Sequence, residues 1–133
     1  EELKKIAGPT IEFLGEVPDE EKYKLMSNAK AFIFPAVEED FGITPVEAQA
    51  LGTPVIAYKS GGVLETIINN KTGVFFNSLT EASLDEAIDK FNKIKFDSSE
   101  IIKQGENFSE ELFRSKIKEF VKKHAWIARS RNN

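Results

Sequence analysis

Phe34-Pro35-Ala36-Val37-Glu38-Glu39-Asp40-Phe41-Gly42-Ile43-Thr44-Pro45-Val46-Glu47 is the stretch whose reading decides the fold. It enters from Ala31-Phe32-Ile33-Phe34, a short apolar run bounded by Pro35. That pattern suits a strand covered on both faces, as in a parallel sheet. At the far end Thr44 is placed to cap a helix and Pro45 fits the first helical position. Glu47 stands three residues after the cap, which completes a capping box. The charged loop between strand and helix delivers Gly42, Ile43 and Thr44 to a helix N-terminus. Unpaired N–H groups and the helix dipole favour a phosphate or another anion there. The same loop follows the carboxyl end of a strand, where open α/β sheets bind their ligands.

Outward from this stretch, strands and helices alternate. Residues 1–7 read as the tail of a helix stopped by Gly8-Pro9, a start that suggests sequence upstream. A strand over 10–14, a turn over 15–18 and a helix from Pro18 or Asp19 to about Asn28 follow, with Tyr23, Leu25, Met26 and Ala29 as its apolar face. After the central stretch come a helix over 45–51 ended by Gly52, a strand over 54–58, a helix over 62–68 and a last strand over 72–76. Short alternating elements without long loops predict an α/β fold with a parallel sheet. Beyond it the pattern is helical. Ser83-Leu84-Asp85-Glu86 reads as a second capping box, opening a helix with Leu84, Ala87, Ile88, Phe91 and Ile94 on one side. A short helix is expected after Ser98 or Ser99. Ser109 is expected to cap a long final one, in which Phe113, Ile117, Phe120, Val121 and Ala125 recur at helical spacing.

Composition narrows the function classes. A chain of 133 residues is one domain, burying roughly two-thirds of its unfolded surface. A net charge of -4 argues against general nucleic-acid binding. Without cysteine there is no disulfide framework or thiolate metal site, and one histidine cannot form a cluster. No apolar run approaches the ~20 residues of a membrane span, and no secretory signal opens the chain, so a cytoplasmic location is expected.

The residues also carry a family resemblance. Glu39 and Glu47 enclose seven residues, with Phe-Gly-x-x-Pro-x-Glu after the first. Ala48-Gln49-Ala50-Leu51-Gly52-Thr53-Pro54-Val55-Ile56-Ala57 and then Gly61-Gly62-Val63-Leu64-Glu65 follow in order. From about Ile11 to Val121 the chain resembles the nucleotide-sugar-binding domain of retaining glycosyltransferases with two Rossmann-like domains, the group 1 family that includes sucrose synthases and mannosyltransferases. The resemblance implies half of a GT-B fold, a Rossmann-like parallel sheet flanked by helices with a helical C-terminal extension. Residues 1–82 would form the βα core of this single partial domain and 83–133 its C-terminal helices.

The resemblance implies roles residue by residue. Glu39 would lie beside the donor sugar and stabilise positive charge developing at the anomeric carbon. Phe41, Gly42, Ile43 and Thr44 would hold sugar and phosphates, with Gly61 and Gly62 near the diphosphate. Glu47 would take the ribose hydroxyls, a role compatible with a helix-start role because one carboxylate accepts several hydrogen bonds. Val17 would meet the base through its backbone. Asp19 is placed to accept from a guanine edge, although a helix cap is its commoner use. The expected reaction is retaining transfer of a sugar from a nucleoside diphosphate donor, with mannose from a guanine nucleotide the first donor expected and no metal or other cofactor required.

Other readings of the same residues stand beside this one. Glu38-Glu39-Asp40 is similar to the metal-binding triplet of a different glycosyltransferase fold. Glu39 and Glu47 are also the two carboxylates that glycoside hydrolysis needs. A non-catalytic nucleotide-binding or regulatory module would keep the cleft without the chemistry. Between Arg114 and Arg131 seven basic residues face one acid, Glu119, around His124 and Trp126. This pattern suits an anionic membrane surface at the inner face, a solvated face or a docking surface for a partner domain. The family's N-terminal acceptor domain, and the Arg and Lys that clamp the diphosphate, have no match in this chain. It is therefore expected to be a fragment that binds nucleotide weakly and is inactive alone.

Overall fold

The computed structural model describes residues 2–36, 43–108 and 122. Among them, in chain order, are α1 (Glu2–Ile6), α2 (Asp19–Asn28), β1 (Phe32–Phe34), α3 (Ile43–Ala50), β2 (Val55–Tyr58), α4 (Val63–Thr66), β3 (Gly73–Phe76), α5 (Glu81–Asn92) and α6 (Ser98–Asn107). The strands form one parallel sheet in the order β1-β2-β3. Phe32 pairs with Val55, and Val55 in turn with Gly73. Each connection between paired strands carries a helix, as parallel pairing requires. This is the α/β fold with a parallel sheet that the alternating pattern predicts, and it is consistent with the Rossmann-like architecture the resemblance implies.

Burial follows the pleat of the central strand. Successive side chains point to opposite faces, and β2 serves two cores. Val55 and Ala57 join Tyr23, Met26, Val46, Ala48, Ala50, Leu51, Val63 and Ile67. Ile56 joins Val74, Phe76 and Ala87, against which Leu84, Ile88, Phe91, Ile94 and Phe96 pack. The helical face expected on α5 is thus the one that covers the sheet.

At the end of α3, Gly52 has φ 87°, and its N–H donates to Gln49 O (2.9 Å) while that of Thr53 donates to Ala48 O (2.9 Å). This is a Schellman stop, in which a left-handed glycine satisfies the last helical carbonyls. The Thr53 hydroxyl donates to the carbonyl of Met26, tying that turn to the end of α2.

Several expected details shift. Residues 10–14 form no strand, and Ile11, Phe13 and Leu14 are exposed. A strand exists only where a neighbour supplies hydrogen bonds, and among the described residues the sheet ends at β1. Leu25 is 45% exposed, because α2 turns Tyr23, Met26 and Ser27 inward at spacings of three and four. Helix α5 begins at Glu81 with Thr80 as its cap, accepting from Ser83 N at 3.1 Å. Ser83 is not the cap; its hydroxyl accepts from Asn77 N and Ser78 N, both at 3.1 Å. Asp97 rather than a serine caps α6, accepting from Ser99 N at 3.0 Å. The final helix expected after Ser109 lies outside the described residues.

Helix α6 lies on α3 rather than on the sheet, and Gly105 sets the closeness of the crossing. A Cβ there would run into the backbone of Ala50 and stand 2.6 Å from the carbonyl carbon of Gln49. Two effects oppose each other in Gly105→Ala: alanine is the better helix former by about 1 kcal/mol, whereas overpacking costs about 1–3 kcal/mol or more. Because the obstacle is backbone, the steric term should win. Gly105→Ala is expected to lower the denaturant midpoint, and a raised midpoint would show that the two helices do not cross this closely.

Candidate functional site

The sheet is parallel, so the carboxyl ends of β1 and β2 lie side by side. Phe34 pairs with Ala57, and the segments leading to α3 and α4 therefore leave from the same edge. Bonds from Lys22 and Tyr23 to Glu47 tie α2 to α3 beside the sheet. The segments that follow β1 and β2 leave from the edge where open α/β sheets bind their ligands.

Glu47 is the best defined group there. It is 5% exposed, and two neighbouring residues of α2 hold it. The Tyr23 hydroxyl donates to Oε2 at 3.1 Å, and Lys22 Nζ donates to Oε1 at 3.3 Å. Lys22 also lies 5.1 Å from the centre of the Tyr23 ring. Its side chain is 36% exposed, so most of the ion pair's strength is screened on that side. Tyr23 is 4% exposed. Burial first, then the charge of Glu47 and its hydrogen bond, and then the charge of Asp19, push the Tyr23 hydroxyl well above its ordinary range. It therefore keeps its proton and remains a donor. A carboxylate offers about four acceptor positions, and these two bonds leave it capacity for a ligand's hydroxyls.

The helix start differs from the capping box read at Thr44. Helix α3 begins at Ile43, so half-buried Thr44 lies inside its first turn, and Glu47 turns to α2. Pro45 has no N–H to lose in this first turn. Glu39, Phe41 and Gly42 lie outside the described residues, as does the Glu38-Glu39-Asp40 triplet. Gly61 has φ 73°, in the left-handed region, while Gly62 is right-handed and precedes α4. Val17 is half-buried and Asp19 exposed. Pro18 takes the cap position of α2, so Asp19 is the first helical residue rather than the cap.

Lys22 and Tyr23 were invisible to the sequence as partners of Glu47. The chain separations of 25 and 24 residues carry no local period. The one available signal was a tyrosine on the buried face of α2, since a buried hydroxyl needs a partner.

Residues 2–108 match the family described as Glycosyl transferases group 1. An alpha-1,3/1,6-mannosyltransferase of Dictyostelium discoideum is 35% identical over 119 residues, covering 84% of this chain and 27% of the relative. Its Homo sapiens counterpart is 32% identical, covering 92% of this chain and 32% of the relative. A D-inositol 3-phosphate glycosyltransferase of Corynebacterium kroppenstedtii is 31% identical, with 80% and 24% covered. The chain spans less than a third of the length of these relatives.

The Tyr23–Glu47 bond makes two measurable claims. Tyr23→Phe leaves the buried carboxylate one donor short and is expected to cost about 2 kcal/mol at neutral pH, read from denaturant unfolding. Because folding raises the Tyr23 pKa above its ordinary 10.0, the folded state binds the phenolic proton more tightly than the unfolded one. The linked stability is complete below about pH 10 and is lost as pH rises beyond it. Tyr23→Phe should remove that alkaline slope. An unchanged slope would mean that the hydroxyl is not held as described.

Proposed function

The chain belongs to the group 1 glycosyl transferases, and from that premise we propose that it forms the donor side of an enzyme that transfers a sugar from a nucleoside diphosphate. The observation that carries the reading is Glu47, a buried carboxylate on the helix that follows β1 of a parallel sheet, held by Tyr23 and Lys22. A ribose presents a vicinal diol, and one carboxylate can accept from both hydroxyls.

In this reading the diphosphate lies across the start of α3, where the Gly42, Ile43 and Thr44 backbone and the positive end of the helix balance its charge. Gly61 and Gly62 approach it from the next turn. Val17 meets the base through its backbone, and Asp19 accepts from a guanine edge. Phe41 and Glu39 flank the sugar, and the Glu39 carboxylate stabilises positive charge at the anomeric carbon as the bond to phosphate breaks. The departing phosphate oxygen takes the proton of the acceptor hydroxyl, which attacks from the same face and so retains the configuration. Mannose from a guanine nucleotide is the donor proposed, in keeping with the mannosyltransferase relatives. No metal is assigned a role.

An N-terminal acceptor domain would form the other wall of the cleft. No helix among the described residues is long and apolar enough to cross a membrane. We assign the protein to the cytoplasm, with the basic stretch from Arg114 to Arg131 holding it to an anionic inner surface.

A titration of backbone amide shifts with GDP, UDP and ADP, with and without magnesium, tests the donor site. Shifts centred on residues 42–47, strongest for GDP and independent of magnesium, are expected. Shifts confined to other parts of the chain would overturn the assignment. In a transfer assay the protein carrying its acceptor domain should turn over GDP-mannose, while residues 1–133 alone should not.

A further inference from the structure

Glu47 has a soft final torsion, since rotation of a carboxylate about its last bond is broad and nearly two-fold. A free carboxylate would rarely present both oxygens to a diol in one orientation. Here each oxygen has its own donor, Tyr23 on Oε2 and Lys22 on Oε1. The two donors are adjacent on a helix anchored by the buried Met26 and by the bond from Thr53 to the Met26 carbonyl. The plane of the carboxylate is thereby set from α2, an element separate from its own.

Packing alone does not account for the cluster. Tyr23 belongs to an apolar core with Val46, Ala48 and Leu51, where phenylalanine would fill nearly the same volume without bringing a hydroxyl out of water. Buried ionic and polar pairs commonly give no more stability than well-packed apolar groups of the same size. The hydroxyl donates to Glu47, which is buried beside it. Among the described residues two donors, Tyr23 and Lys22, meet a carboxylate that offers about four acceptor positions.

We propose that Tyr23 and Lys22 are positioning residues that pin the Glu47 carboxylate in the plane needed to accept a vicinal diol. This rests on the reading of Glu47 as the ribose anchor. Neither residue is catalytic; each acts on the ligand through Glu47. The specificity produced is for a ribonucleoside diphosphate over one lacking the 2′ and 3′ hydroxyls.

The test uses the protein with its acceptor domain and measures dissociation constants for GDP and UDP, each beside its 2′,3′-dideoxy form. Wild type should favour the hydroxylated member of the pair it binds by about tenfold or more, the worth of one or two net hydrogen bonds. Tyr23→Phe should lose most of that preference while affinity for the dideoxy nucleotide stays within about twofold of wild type. Should Tyr23→Phe fail to fold, Lys22→Met supplies the same comparison, because the Lys22 side chain is already 36% exposed. Full preference retained in the variant would overturn the positioning role and leave the donor site standing. Equal binding of both nucleotides by wild type would overturn the ribose reading of Glu47 itself, and the inference with it.

Discussion

The constraint on which the rest of the structure depends is the enclosure of α3. From Pro45 to Gly52 every residue is buried. A helix buried on all its faces must be surrounded, and its neighbours are the sheet, α2, α4 and α6. Its Val46 and Leu51 are at most 1% exposed, each contributing about 1.5–3 kcal/mol by leaving water. The approach of α6 is close because Gly105 leaves backbone against backbone. Gly52 ends the helix so that the chain can turn at once into β2. Loosening any of these contacts would move the start of α3 relative to the strands, and with it the carboxyl edge of the sheet.

Enclosure also explains why the polar groups of α3 matter. Glu47 cannot be hydrated in its place, so its charge must be met by protein groups or by a ligand. Tyr23 and Lys22 meet part of it, and their bonds tie α2 to α3. An arrangement built for stability alone would have apolar side chains at 23 and 47. Its polarity is intelligible as a site held ready, with orientation established before the ligand arrives.

Much of the fold was legible along the chain. The apolar runs at 32–34, 55–58 and 73–76 stand in strands, and the glycine at 52 marked a helix end through its freedom at positive φ. Where the reading missed, the cause was a competing local partner in one case and a distant or missing one in the others. Thr80 and Ser83 both have the chemistry of a cap; the helix begins at the earlier one, and the later hydroxyl serves the preceding loop. Thr44 and Glu47 fit a capping box by spacing, yet Glu47 finds its donors on another helix. Residues 10–14 have the composition of a strand without a strand to pair with among the described residues.

The sequence by itself determined the period of each element, the family motif from Glu39 to Glu65, and hence the kind of domain. These depend on neighbours within a few positions, where side-chain chemistry and backbone freedom act directly. Only the tertiary structure decided that Glu47 faces α2, that Tyr23 carries its hydroxyl into an apolar core for that carboxylate, and that Gly105 lies against Ala50. Those contacts join residues 24 and 25 positions apart in the first case and more than fifty in the other. No local period encodes such pairs; they form where elements distant in sequence pack around the buried α3.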